Sequence, residues 1–165
     1  DGVEDAVEVP SIGDYNEVSM AAWIKPAVDP TPTQFDQLYA HSAWAAGSLH
    51  WTINFGQMAP STQGLGATAT DPTVLALNQW THVALVQSQE KIAIYRDGSL
   101  AAETANSDTG TIIVGDGHIG AWSNADVLER FFSGLIDEFR IYDRALSWAE
   151  IAWLAGVTEP FDKPF

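Results

Sequence analysis

Val18-Ser19-Met20-Ala21-Ala22-Trp23-Ile24-Lys25 sets an apolar side chain at every second position, through Val18, Met20, Ala22 and Ile24. That period is the period of a strand, whose successive side chains point to opposite faces of a sheet. It recurs where Val7 and Val9 flank Glu8, and where Trp51, Ile53 and Phe55 alternate with His50, Thr52 and Asn54. These stretches read as half-buried strands. Thr81 to Gln87, Lys91 to Arg96, Leu100 to Thr104, Thr111 to Val114 and Phe131 to Tyr142 add short runs of β-branched and aromatic residues, most of them separated by turn residues. Many short strands of this kind predict an all-β protein, a two-sheet antiparallel sandwich or jelly roll, and exclude a parallel α/β fold.

Two local signals fix the chain's course. In Tyr95-Arg96-Asp97-Gly98-Ser99-Leu100, Asp-Gly stands between apolar runs and supplies the positive φ angles that a tight type I′ hairpin requires. Near the end, Ser147 and Glu150 have the spacing of a capping box, Leu146 and Ile151 that of a hydrophobic staple, and Gly156 that of a left-handed C-terminal stop. They predict one short helix, roughly Trp148 to Ala155, lying across the sandwich with Ile151 and Leu154 inward. The Pro-, Thr-, Gly- and Ala-rich stretches Asp29 to Thr33, Pro60 to Thr70 and Asn106 to Gly110 read as loops, the usual carriers of binding residues on a rigid scaffold. Residues 1–157 are expected to form one domain, and 158–165, with two prolines and no periodicity, an extended tail or linker.

Composition narrows the function. With 165 residues, 46% of them hydrophobic, the chain has the make-up of one folded domain. Seven basic residues against 22 acidic ones give a net charge of -15, a field that repels phosphate backbones and makes nucleic acid a poor partner. The absence of cysteine removes disulfides, zinc-thiolate sites and thiol nucleophiles together. No apolar run approaches the roughly 18 residues of a membrane span, and the opening Asp1-Gly2-Val3-Glu4-Asp5 is not a signal peptide.

Asp1 to Pro10, Ser19-Met20-Ala21-Ala22-Trp23-Ile24-Lys25-Pro26, Gln79-Trp80-Thr81-His82-Val83-Ala84, Ile94-Tyr95-Arg96-Asp97-Gly98 and, most specifically, Gly134-Leu135-Ile136-Asp137-Glu138-Phe139-Arg140-Ile141-Tyr142-Asp143-Arg144-Ala145-Leu146-Ser147 follow one another in this order. Together they resemble the laminin G-like, concanavalin A-like lectin/glucanase superfamily in its bacterial form. The resemblance implies a jelly roll of two curved antiparallel sheets, found mostly as a module of larger secreted or cell-surface proteins. Such modules bind carbohydrate, act in adhesion or accompany catalytic domains. Family members usually carry an apolar strand just ahead of the first Asp-Gly, where this sequence begins, so that edge strand is expected to be missing or supplied by further residues.

Calcium is the expected metal. A hard cation takes six to eight oxygens, and the sequence offers acids at Asp1, Glu4 and Asp5 and the pair Asp137 and Glu138. The resemblance implies one structural calcium held by Asp1, the Gly2 carbonyl and Asp137. The plainer alternative is a solvated acidic terminus, with Asp137 or Glu138 paired to Arg140 or Arg144.

For a saccharide the relevant groups are aromatic platforms beside amide and carboxylate side chains. Of the seven tryptophans, Trp23 and Trp80 fall in family-like strands and are expected in the core, while Trp148 and Trp153 belong to the helix. Trp44, Trp51 and Trp122 remain. Trp44 follows Tyr39 and His41, and Trp122 precedes Ser123, Asn124 and Asp126, so Tyr39, His41, Trp44, Trp122 and Asn124 are the candidate ligand-binding set. The alternative is that each Trp simply covers a sheet face or edge. A retaining glucanase needs two carboxyl groups about 5 to 5.5 Å apart, and no Glu-x-Asp-x-Glu occurs here; Glu4, Asp5 and Glu8 cannot share a sheet face. No Gly-x-Ser-x-Gly elbow is present. His82 reads as a structural residue, and His41, His50 and His118 lack the i, i+4 spacing of a zinc site. The expectation is a non-catalytic, extracellular or cell-surface carbohydrate-binding module steadied by calcium, the rival being a structural or adhesive domain that binds a protein partner.

Overall fold

The computed structural model describes residues 5–27 and 35–157. Its strands are β1 (Val7–Val9), β2 (Gly13–Tyr15), β3 (Val18–Pro26), β4 (Phe35–His41), β5 (Leu49–Asn54), β6 (Gln57–Met58), β7 (Ser61–Thr62), β8 (Thr81–Gln87), β9 (Lys91–Arg96) and β10 (Ser99–Ala105). They continue with β11 (Ile112–Val114), β12 (Gly117–Ile119), β13 (Trp122–Asn124), β14 (Val127–Glu129) and β15 (Gly134–Tyr142), and a helix, α1 (Trp148–Leu154), closes the series. One large sheet runs β1-β12-β4-β5-β6 with β7 also on β5, a second runs β10-β9-β8-β3-β15, and β11-β2 and β13-β14 form two-stranded ribbons. Every ladder between these strands is antiparallel. This is the jelly-roll sandwich that the alternating sequence predicts.

The period of two sorts the side chains of β3 and β5. Val18, Met20, Ala22 and Ile24 of β3 meet Leu49, Trp51 and Ile53 of β5 in the core between the sheets, with Val83, Leu85, Ile92 and Ile94 from β8 and β9. Phe55, read as a further inward residue of β5, is instead half exposed at φ 51°, because the strand ends at Asn54 and the chain turns through Gly56. Trp80, expected in the core, stands 45% exposed just ahead of β8. His82 is buried against the edge of Trp23, ring centroids 5.4 Å apart, with its Nδ1 unpartnered.

The β9–β10 hairpin turns through Asp97 and Gly98 at φ 48° and 77°, as the type I′ reading requires. Gly98 also makes room for the helix, since a Cβ there would stand 3.1 Å from Ala152 Cα and 3.0 Å from Val157 Cγ2; its bareness lets α1 sit against the turn. Ser147 caps α1 in a complete capping box with Glu150, and Gly156 ends it in a Schellman motif, Val157 N–H donating to Ala152 O and Gly156 N–H to Trp153 O. Leu146 and Ile151 bury with Ala21, Ala84 and Val86 in a second, smaller core, and Leu154 packs at its margin. The helix therefore covers the outer face of the β3-containing sheet. No helix among the described residues is long and apolar enough to cross a membrane. Among the described residues no helix covers the outer face of the β5-containing sheet, and the candidate site is there.

Candidate functional site

On β5 the inward residues Leu49, Trp51 and Ile53 leave His50, Thr52 and Asn54 on the outer face. On β4 the registers Phe35↔Asn54 and Gln37↔Thr52 put Phe35 and Gln37 beside them. The Thr52 hydroxyl donates to Gln37 Oε1 at 3.1 Å, fixing the amide's orientation. Between Gln37 and Tyr39 the ladder slips by one residue. This bulge at Leu38 reverses the parity of all that follows, so Tyr39 pairs with Trp51 on the core side.

These outer-face residues floor a groove of about 410 Å³, within the range of about 300–1,000 Å³ usual for ligand sites. Its walls are Trp44, from the β4–β5 loop, Ser61 and Thr68 on one side, and Trp122 and Arg130, from either end of the β13–β14 hairpin, on the other. The hairpin is anchored to the sheet by Gln37 N–H donating to Arg130 O at 3.0 Å. Arg130 lays its guanidinium over Trp122, Cζ 4.4 Å from the ring centroid, and 5.4 Å from that of Phe35. Asn54 Oδ1 and Trp122 Nε1 are buried polar atoms without a hydrogen-bond partner.

Beneath the groove two histidines hold the Trp44 loop. Ala43 N–H donates to His41 Nδ1 at 2.9 Å, and the Ala43 carbonyl lies 3.3 Å from His50 Nε2. Ala45 and Ser48 close the loop with reciprocal bonds of 3.1 and 2.9 Å. Burial pushes the His50 pKa down to about 4, against a smaller opposing effect of the Ala43 bond. The ring is therefore neutral at ordinary pH and donates through Nε2.

The expected ligand set divides accordingly. Trp44, 56% exposed, and Trp122 border the same groove. Tyr39 does not: it is fully buried, and its hydroxyl is taken up by Gly115, donating to the carbonyl at 3.2 Å and accepting from N–H at 2.8 Å. Its assignment as a ligand residue is corrected by the Leu38 bulge. His41 stands behind the groove as a support for Ala43. Asn124 is exposed near the tip of the hairpin, outside the groove wall. Trp51 is core. Arg130, Gln37, His50, Thr52 and Asn54 lie outside the expected set, although His50, Thr52 and Asn54 are the outward positions of the strand alternation.

A larger depression, about 580 Å³, runs along β15 and is bordered by Asp5, Asp137 and Glu138. This is the region of the expected calcium site, of which Asp1 and Gly2 lie outside the described residues. Asp137 Oδ1 accepts the Glu138 N–H at 2.8 Å, and Glu138 Oε2 is engaged by Arg140 at 2.8 Å. The donors have the hard-oxygen chemistry that calcium needs, but the described residues alone contain no group of three or more His, Cys, Asp or Glu placed to hold a metal.

A two-sheet jelly roll with one outer face capped by a helix and an aromatic groove on the other is a fold of the concanavalin A type. The family model for the concanavalin A-like lectin/glucanases superfamily matches residues 1–152, and the chain belongs to that family. No curated protein matches the sequence. Among solved structures, a putative carbohydrate-binding protein from Bacteroides ovatus aligns with a TM-score of 0.71 at 18% identity over 89% of this chain. This chain spans 43% of that protein's length. Domain 4 of an extracellular GH43 arabinanase from Geobacillus stearothermophilus, solved with arabinotriose, aligns at 0.65 with 21% identity over 91% of this chain and 72% of its own. A heptameric SAP-like pentraxin from Limulus polyphemus aligns at 0.67 with 16% identity over 91% of this chain and 74% of its own. At these identities the likeness is one of fold.

Proposed function

We propose that the domain is a non-catalytic carbohydrate-binding module of an extracellular protein and that the Trp44–Trp122 groove is its saccharide site. The observation that carries this reading is the convergence, on one open sheet face, of two tryptophans with the amides of Gln37 and Asn54 and the hydroxyls of Thr52, Ser61 and Thr68. Aromatic rings supply stacking surfaces for the C–H faces of a pyranose, and amides and hydroxyls serve its OH groups. The saccharide-related neighbours of the same fold agree with it. No carboxylate is among the described lining residues, so they supply no acid pair of the kind a glycosidase uses.

Structural calcium remains part of the proposal, with Asp137 as a ligand and Asp1 and Gly2 completing the set. The second reading, an adhesive domain for a protein partner, is favoured by Trp153, which stands 72% exposed on α1. A glycan array probed with the domain in millimolar calcium and again in excess EDTA separates the readings. Selective retention that is lost on Trp122→Ala or Trp44→Ala supports the saccharide site; a folded domain that retains no glycan in either buffer overturns it.

A further inference from the structure

The chain carries 22 acidic residues against seven basic ones, yet the described lining of the groove holds no carboxylate and one cation, Arg130. Other cations are already committed. Arg96 donates to Asp71 at 2.8 Å, Arg140 to Glu138 at 2.8 Å, and Lys91 to Glu103 and Arg144 to Glu150 at 2.5 Å. Arg130 is held differently. It forms an ion pair with Glu129, 3.7 Å from Nε and beyond hydrogen-bonding distance, and the guanidinium also rests on the faces of Trp122 and Phe35. Its backbone is pinned at φ 57° with its carbonyl bound to Gln37 N–H, which fixes where the side chain begins.

A stacked guanidinium keeps its N–H edge for an acceptor, and its fork matches a carboxylate better than a lone hydroxyl. The lining of the groove beside it offers amide and hydroxyl groups with no charge of their own, and the neutral His50 adds none; Glu129, 3.7 Å from Nε, is not part of that lining. We infer that the groove takes an acidic saccharide of the uronate class, Arg130 donating to the sugar carboxylate while Trp44 and Trp122 contact the ring. This rests on the groove being a saccharide site. Most of the net charge of -15 does not cancel the attraction, because charges farther away than about 8 Å are largely screened at physiological ionic strength; Glu129, at 3.7 Å, offsets part of it.

The test is calorimetric titration of the domain with galacturonate, glucuronate and mannuronate oligosaccharides, their methyl esters, and a sulfated oligosaccharide. The wild type is compared with Arg130→Gln, Arg130→Lys and Trp44→Ala, each checked for native circular dichroism. We expect at least one uronate to bind tenfold or more tighter than its ester, with the preference lost in Arg130→Gln and partly kept in Arg130→Lys. Equal binding of acid and ester, abolished by Trp44→Ala, overturns the uronate assignment and leaves the saccharide site standing. Selection of the sulfated sugar alone, or a uronate preference that survives Arg130→Gln, also overturns it. No binding of any sugar by the folded wild type overturns this inference, and a blank glycan array removes the saccharide site with it.

Discussion

The ring of His50 meets that of Trp44 edge-on, centroids 4.7 Å apart and planes at 76°. The same ring lies 6.2 Å from Trp122, also edge-on. One neutral histidine thus touches both aromatic walls of the groove and, through Ala43, the loop that carries one of them.

That placement sets a pH dependence. An unfolded histidine titrates near 6.5 and folded His50 near 4, so between these values the unfolded chain binds the extra proton and stability rises with pH. The contribution is complete above pH 6.5 and is lost as pH falls toward 4, by about 3 kcal/mol in all. Urea denaturation from pH 4 to 7.5 checks it, read as the difference between wild type and His50→Gln. A difference that stays flat across this interval contradicts it.

The two groove tryptophans should separate binding from stability. Trp44 is mostly exposed, so Trp44→Ala should weaken saccharide binding tenfold or more with under about 0.5 kcal/mol of destabilisation. Trp122 is partly buried under Arg130, and Trp122→Ala should lose binding and also cost about 2 kcal/mol. Denaturant midpoints and titrations on the same samples measure both quantities.

The β13–β14 hairpin turns through Ala125 and Asp126 at φ 50° and 66°, left-handed positions that alanine occupies at a cost. Ala125→Asn with Asp126→Gly should therefore stabilise the domain by about 1 kcal/mol, read from urea unfolding, and leave the walls formed by Trp122 and Arg130 in place.

Gly98→Ala should act in the opposite sense. It meets both a left-handed φ of 77° and the backbone of α1 at 3.1 Å, so a loss of about 2 kcal/mol or more is expected. Because Trp148 Nε1 donates to the Gly98 carbonyl at 2.7 Å, hydrogen exchange at α1 should quicken with it.

If calcium binds through Asp137, millimolar calcium should raise the melting temperature of the wild type, EDTA should reverse the rise, and Asp137→Asn should abolish the response. An unchanged melting temperature in calcium and EDTA would rule the calcium site out.

The fold is legible in the sequence because period two, Asp97-Gly98 and the Ser147–Glu150 box are local signals that tertiary contacts reinforce. The β8 and β9 ranges agree with their apolar runs residue for residue. The site is less legible. Phe35 to His41 mixes Asp36, Gln37 and His41 with apolar residues, and the bulge at Leu38 turns Tyr39 inward where uninterrupted alternation would hold it with Phe35 and Gln37. Arg130 gives no signal, since its approach to Trp122 comes from a non-glycine left-handed turn and a hairpin folded over the sheet. Trp80 departs from its expected place in the core because a strand-like motif says nothing about whether its first residue has reached the sheet.

Recognition at the groove is tested most directly by following the seven tryptophan indole N–H resonances of a 15N-labelled domain during titration with the saccharide selected by the glycan array. The Trp44 and Trp122 resonances, assigned by Trp→Phe substitution, should shift in a saturable way while those of Trp51 and Trp153 stay fixed. Binding that shifts Trp148 or Trp153 and leaves Trp44 and Trp122 unmoved would contradict the claim that the groove on the β5-containing sheet is the recognition site.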